Sequence, residues 1–419
     1  MWSLLRRNRD FRALFLAQVI SYMGDWFASV AMLGLVLDLT HSDLAATLVF
    51  VSQTLPSFVM TPLAGPAADR FDRRQLMILV SVLQIGAACL FLLVRGDSTV
   101  WLAFVAQGTI SALGAFFMPS SQAALPNLVE PEHLATATVM MSATWGAMLA
   151  IGAALGGLFT VAFGRTASFV ADAASFAIAA ALIATVRRPM GGLARSDRGS
   201  TRMRPLADSA EAFRYARRHP AVLALLGSKM GFGLSGGVVG LLAVFATEKF
   251  HAGDAGTGLL LAARGAGVVL GPVLARRFTN RGIGGIILCC GVAGLVYASG
   301  YAFVPIAPLL ALAAIAVLIA HLGGGMQWTL STYGLQISTP DELRGRIFAG
   351  DFALVTLTMT ISFIAAGALS SVFGPEPVTF GLAAVSAAWG CVYLTLTRSL
   401  RSAGGQGRES PESTSSYAA

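Results

Sequence analysis

The chain is 419 residues long, 55% hydrophobic and only 12% charged, with a mean hydropathy of +0.71. Soluble domains carry about a quarter of their residues as Asp, Glu, Lys and Arg, so this composition excludes a water-facing surface over the whole chain and points to lipid as the solvent. The net charge of +8 does not indicate nucleic acid, because its distribution is that of membrane-flanking loops.

Twelve apolar stretches of spanning length follow one another: 11–37, 44–64, 75–94, 100–123, 137–161, 167–186, 221–247, 257–275, 283–304, 307–333, 348–372 and 378–397. The first is too long for the apolar core of a signal peptide and lacks a small-residue cleavage site, so it reads as a retained span. With both termini inside, 24 of the 29 Lys and Arg residues fall in cytoplasmic segments. That bias predicts cytoplasmic termini in a multi-pass cell-membrane protein. Only Arg95, Arg165 and Lys249 lie outside, and Lys229 and Arg264 lie within spans.

The longest hydrophilic interval divides the chain into a six-helix bundle at 1–189, a linker at 190–220, a second bundle at 221–401 and a disordered tail at 402–419. In the linker, Leu206, Ala210 and Phe213 recur at helical spacing ahead of Arg214, Arg217 and Arg218. This predicts a short amphipathic helix on the anionic inner leaflet. The halves repeat: Gly65-Pro66 with Arg70 returns as Gly271-Pro272 with Arg276, Pro131-Glu132-His133-Leu134 as Pro340-Asp341-Glu342-Leu343, and Met23-Gly24 as Met230-Gly231. Three matches in one order at nearly one offset imply duplication in parallel orientation. Cys89, Cys289, Cys290 and Cys391 all lie in apolar runs without a CxxC pair, and read as packing residues.

The loop after span 2 reads Gly65-Pro66-Ala67-Ala68-Asp69-Arg70-Phe71-Asp72-Arg73-Arg74. It resembles the G-x-x-x-D-R-x-G-R-R loop of the major facilitator superfamily, with Asp72 in place of the second glycine. The resemblance implies an all-α polytopic fold of twelve transmembrane helices in two six-helix bundles. It also implies a cytoplasmic gate formed by Gly65, Asp69, Arg70, Arg73 and Arg74; read from charge alone, these arginines are topology determinants. Asp351, at the inner end of span 11, is read as a partner for the arginine cluster, or as a carboxylate favoured by its first-turn position.

Further features are similar to the efflux branch that includes enterobactin and macrolide exporters. They are Asn8-Arg9-Asp10-Phe11-Arg12, Gly24-Asp25 and Pro340-Asp341-Glu342-Leu343-Arg344-Gly345-Arg346. Span 5 carries Gly152, Gly156 and Gly157 in a run similar to the G-P-x-x-G-G element of antiporters, with Ala153 where that element has proline. In span 4, Gln107-Gly108 is present, but Phe104 stands where many proton-coupled antiporters have arginine.

A charge at the bilayer centre costs about 2.5–3.5 kcal/mol on insertion scales, so ionisable residues within spans usually face a cavity or a partner. The resemblance implies a central cavity lined by spans 1, 4, 7 and 10. Asp25, Gln107, Lys229 and His321 are therefore candidates for the substrate or proton pathway. Asp25 is read as a substrate contact, a proton carrier or a hydrogen-bonded packing carboxylate, Lys229 as its counter-charge, an anion-binding group or a snorkelling cation. His321 is a titrating group or a packing residue beside Gly323-Gly324-Gly325, which would loosen span 10. Arg264 and Asp172 read as structural pairing residues.

No phosphate-binding loop, HExxH, nucleophile elbow or metal-ligand set occurs, so neither an enzyme nor a cofactor is expected. The expected function is secondary active export of small amphipathic or hydrophobic molecules, drug-like or siderophore-like, by proton antiport. The expected partners are the substrate, protons and the bilayer, the chain acting as a monomer without nucleic acid. Uptake of a nutrient or metabolite, and a non-transporting sensor or assembly factor, stay open as alternatives.

Overall fold

The computed structural model describes residues 2–191 and 213–403. Among them no strand forms, and ten helices are long and apolar enough to cross a membrane; one bent pair makes a further crossing. The first six are α1 (Arg9–Thr40), α2 (Asp43–Arg70), α3 (Arg73–Leu93), α4 (Trp101–Leu128), α5 (Pro131–Phe163) and α6 (Arg165–Ala184). The bent pair is α7, Pro220–Leu234 with Gly236–Lys249.

The stretch Gly253–Ile306 passes as a single 54-residue unit. A straight helix of that length would measure about 81 Å against a hydrocarbon core of about 30 Å. It turns back instead through the 3₁₀ segment Arg276–Arg281 and Gly282, whose φ of +67° suits glycine. The result is α8 (Gly253–Ala275) and α9 (Gly282–Phe303), which pack on α10 in opposite senses. Gly267 and Gly271 of α8 meet Leu318 and Met326 in order, whereas Gly300 and Gly323 cross-match Ala316 and Ala293 in reverse. With α10 (Leu310–Ser338), α11 (Asp341–Phe373) and α12 (Pro375–Leu396), twelve crossings result.

Local chemistry sets the ends of these helices. Asn8, Ser42 and Asp72 accept from Phe11, Ala45 and Gln75 backbone N–H at the starts of α1, α2 and α3. Asp72, the departure from the loop motif, is thus an N-cap. Pro131, Pro220 and Pro375 open helices where no N–H is needed. The tight turns α5–α6 and α11–α12 share one geometry, Gly164 at φ +83° and Gly374 at φ +84°.

Two helices depart from expectation. Span 7 reads as continuous in the sequence, yet α7 bends by 40° within a run holding Gly231, Gly233, Gly236, Gly237 and Gly240. Backbone groups freed at membrane depth must find partners. Ser362 of α11 supplies both, accepting from Gly237 N–H (2.9 Å) and donating to Leu234 O (2.7 Å). Conversely, Gly323-Gly324-Gly325 do not loosen α10, which runs unbroken. They are the places where Ala293, Phe232 and Val268 press against it.

Call the end carrying Arg9 and Leu396 the terminal end, and the other the far end. The buried apolar residues form three clusters. One, at the far end, draws on both halves, from Val30 and Leu33 to Val244, Leu261 and Phe363. The other two lie at the terminal end, one built from residues 4–190 and the other from residues 216–400. The halves therefore share a core at one end and keep separate cores at the other. Along α2 and α11 the contacts run Thr47–Gly367, Phe50–Phe363 and Phe58–Phe352. Beyond them, a Cβ on Gly65, Gly345 or Gly350 would meet nothing within 4 Å. The helix 213–218 is described, whereas Leu206 and Ala210 of the expected linker helix lie outside the described residues, as do residues 404–419.

Candidate transport site and gates

The polar contacts that join the halves among the described residues lie at the far end. Arg165, opening α6, donates from Nε to Asp254 Oδ2 (2.9 Å) and from Nη2 to Asp254 Oδ1 (3.3 Å) on α8. Its Nη1 also bridges Asp38 Oδ2 on α1 (2.6 Å). Ser370 donates to the Asp43 carboxylate, tying α11 to α2. Beneath the latch, Gly157 and Gly258 bring α5 and α8 backbones together: a Cβ on Gly157 would lie 3.1 Å from Gly258 Cα. Gly152 and Gly156 seat α1, against Trp26 and Phe27. The span 5 glycines thus serve close helix approach. The sequence marked Arg165 only as a loop charge and missed Asp254 and Asp38; their one signal was scarcity of charge on that side.

At the terminal end, Arg73 ties together elements of its own half. Nε donates to Ala68 O (3.0 Å) and Nη1 to Ala123 O (2.9 Å) and Met190 O (3.2 Å), closing α2, α4 and the segment after α6 around one guanidinium. Arg74 donates to Ala184 O, and Arg70 is exposed. The Asp69 side chain lies outside the described residues. Asp351 does not join this cluster. Its carboxylate pairs with Lys229 of α7, both almost fully buried, with Lys229 Nζ 4.5 Å above the Trp328 ring and 3.4 Å from Thr332 Oγ1. Burial of a cation next to a carboxylate favours this pairing over a longer reach to Arg70 or Arg74. Lys229 is accordingly not the counter-charge of Asp25.

Asp25 sits midway along α1, half-buried, one residue after Gly24. A Cβ on Gly24 would stand 2.9 Å from Asp172 Oδ1 on α6, so the absence of a side chain there admits Asp172 beside Asp25. Asp172 is 1% exposed, and neither of its oxygens has a hydrogen-bond partner among the described residues. The two carboxylates are electrostatic neighbours, with Tyr22 the further titratable group at hand. Within the membrane length of α1–α6 there is no Lys, Arg or His to offset them. Asp172 and Arg264 are not each other's partners: Asp25 is the titratable neighbour of Asp172, and Tyr297 and Tyr301 are those of Arg264. Gln107 is buried on α4 and donates to Ser111 Oγ (3.2 Å).

In the other half, His321 Nε2 is 2.8 Å from Tyr301 Oη and packs edge-on to Tyr297 and Phe232. Arg264 of α8 faces the same tyrosines. Chemically, then, one half presents acids without a cation, and the other a buried cation among aromatic hydroxyls.

Twelve crossings in two halves, latched at one end and parted at the other around buried charges, are the architecture of a multi-pass membrane transporter. The family model described as Major Facilitator Superfamily matches residues 14–350, and the chain belongs to that superfamily. Its relatives include the multidrug efflux pump Tap of Mycolicibacterium fortuitum, 27% identical over 394 residues that cover 90% of this chain and 92% of Tap. The enterobactin exporter EntS of Salmonella typhi is 27% identical over 82% of each chain. The uncharacterized MFS-type transporter YfiS of Bacillus subtilis is 28% identical over 221 residues, a match spanning 52% of this chain and about half, 52%, of YfiS. Among solved structures, a bacterial homologue of the human lysosomal transporter Spinster, inward-facing and unoccupied, superposes with a TM-score of 0.68 at 18% identity, covering 96% of this chain and 98% of that one. At that identity the likeness concerns fold alone.

Proposed function

We propose that this transporter exports small amphipathic or hydrophobic molecules in exchange for protons, by alternating access. The observation that carries this is the Asp25–Asp172 pair, two carboxylates brought into each other's electrostatic reach at Gly24, in a half whose membrane interior has no base. Side by side at low dielectric they cannot both ionise cheaply, so they titrate as a unit holding at least one proton. Asp25 is the more open of the two and is the member that exchanges with the cavity. Asp172, enclosed on α6, holds the second position.

The Lys and Arg bias supports cytoplasmic termini, which makes the terminal end the inner one and this conformation inward-open. Protons then enter when the far end opens and leave from this state, while substrate moves the other way. Asp69, Arg70, Arg73 and Arg74 would close the inner end when the halves rock together. Efflux relatives at low identity support the outward direction.

The test uses everted vesicles loaded with a proton gradient, with ethidium, tetracycline and the acidic 2-naphthoate as probes of differing charge. Asp25→Asn, which mimics the protonated acid, is expected to abolish uphill accumulation while sparing downhill exchange. Uphill accumulation with an unchanged pH profile in that variant would refute the coupling role.

A further inference from the structure

We infer that Arg264, Tyr297, Tyr301 and His321 form an anion site, and that the transported molecule is an amphipathic organic acid. The inference rests on the reading of this chain as a transporter and adds the charge of its substrate.

The placement of Arg264 follows from the contacts of α8. Gly258, Gly265 and Val269 face α5, Gly267 and Gly271 face α10, and Leu259, Ala262 and Ala266 line an apolar groove open to lipid. At about 100° per residue these three sets occupy three sectors of the helix, and Arg264 lies in the fourth, with Thr257, Leu261 and Val268. That sector is opposite the lipid groove, between the seam to the other half and the seam to α10. Arg264 is eleven residues from Gly253 and His321 eleven from Leu310, so both lie about 16 Å from the far end, near the midplane.

Charge accounting within the second half isolates this cation. Its interior carries Lys229, Arg264 and Asp351, and Asp351 is taken by Lys229. Arg264 is 9% exposed, yet its Nε is buried without a partner and no described residue accepts a hydrogen bond from its guanidinium. Tyr297 Oη is likewise buried and makes no hydrogen bond of good geometry; its one polar neighbour, the Ser235 hydroxyl, spends its proton on Gly231 O (2.6 Å). A permanently charged fork and a free hydroxyl left unsatisfied at membrane depth are costly unless a ligand completes them. Tyr301 and His321 are locked to each other and hold the wall in place. The surrounding rings, Phe232 with Tyr297 at 4.9 Å and Phe232 with Trp328 at 6.4 Å, suit an apolar body behind the acid group. A carboxylate or sulfonate accepts from Arg264 and Tyr297 together and cancels the guanidinium charge, whereas a cation is repelled and a neutral amide accepts without cancelling the charge.

The experiment uses the full-length protein in nanodiscs with its four native cysteines replaced by serine and Val268→Cys, one turn from Arg264 on the same face, as reporter. Modification rates by the anionic sulfonatoethyl and the cationic trimethylammonioethyl methanethiosulfonate are compared, with 2-naphthoate and neutral 2-naphthamide as protectants. The expected result is at least a tenfold shift of the anion-to-cation rate ratio on going from Arg264→Gln to the native arginine, and at least fivefold protection by the acid but not the amide. Arg264→Lys should keep the preference and lose most of the protection. Tyr297→Phe, which removes only the unpartnered hydroxyl, should keep the preference and weaken protection, and it carries the test if Arg264→Gln fails to accumulate. A ratio indifferent to Arg264, protection equal for acid and amide, or protection unchanged in Tyr297→Phe overturns the site. No gradient or turnover enters the readout, so failure of proton coupling is scored separately.

Discussion

The Arg165–Asp254 latch makes a quantitative prediction about which end of the molecule opens. Asp254→Asn keeps the shape of the side chain and removes its charge, leaving Arg165 with Asp38 alone. Exposed ion pairs contribute about 0–1 kcal/mol, and charge-assisted hydrogen bonds about 1.5–3 kcal/mol. The latch falls in the lower part of the second range. Its side chains are only 25% and 12% exposed, which raises it above the first class, but its second bond, at 3.3 Å, is long. About 2 kcal/mol is a fair value, and at 1.4 kcal/mol per decade this is a roughly thirtyfold shift toward far-end opening. The shift is read as a double electron–electron resonance distance between labels at Ser98 and Pro308, exposed far-end positions in opposite halves. Asp254→Asn should enrich the long-distance population. Asp38→Asn supplies the control, because Asp38 and Arg165 belong to one half and their 2.6 Å bond does not span the opening. Identical distributions in Asp254→Asn and the unsubstituted protein, or an equal shift in Asp38→Asn, would show that the latch does not set the equilibrium.

Three further outcomes are expected. Ser362→Ala leaves Gly237 N–H and Leu234 O without a partner at the α7 break, and should cost about 1–3 kcal/mol, read as a lowered Tm in detergent. Lys229→Met or Asp351→Leu alone strands a buried charge at a cost of about 3–5 kcal/mol, whereas the double substitution should recover most of the lost stability in the same assay. Orientation is checked by labelling: a cysteine at Ser98 should react with an impermeant thiol reagent in intact cells, and one at Asn280 only after permeabilisation.

Much of this architecture was legible because the bilayer imposes a length. Twenty apolar residues announce a crossing whatever their order, and the arginines of the short loops announce a side. The register between crossings was not legible. Membrane helices are apolar all round, so no amphipathic stripe tells which face of α1 meets α6. Asp25 and Asp172 are far apart in sequence, and the link between them is a missing side chain at Gly24, a residue the sequence offered as a repeat marker and an efflux-like feature but not as a contact. Asp351 looked like a gate residue because of its end-of-helix position, yet Lys229 of α7 takes its carboxylate; the bend further along α7 was written in five glycines.

A single-residue reading of intramembrane charge fails for a further reason: each charge has meaning only against the total in its own half. The first half has an excess of acid at Asp25 and Asp172, and the second, once Lys229 and Asp351 cancel, an excess of base at Arg264. Neither half can neutralise itself from within. On the function proposed above, each therefore depends on something mobile, a proton for the first and an acidic ligand for the second. The desolvation cost of closing the space between the halves falls only when both arrive or when the two excesses face one another. That dependence is a physical basis for linking closure to occupancy, without any direct contact between the proton site and the ligand site.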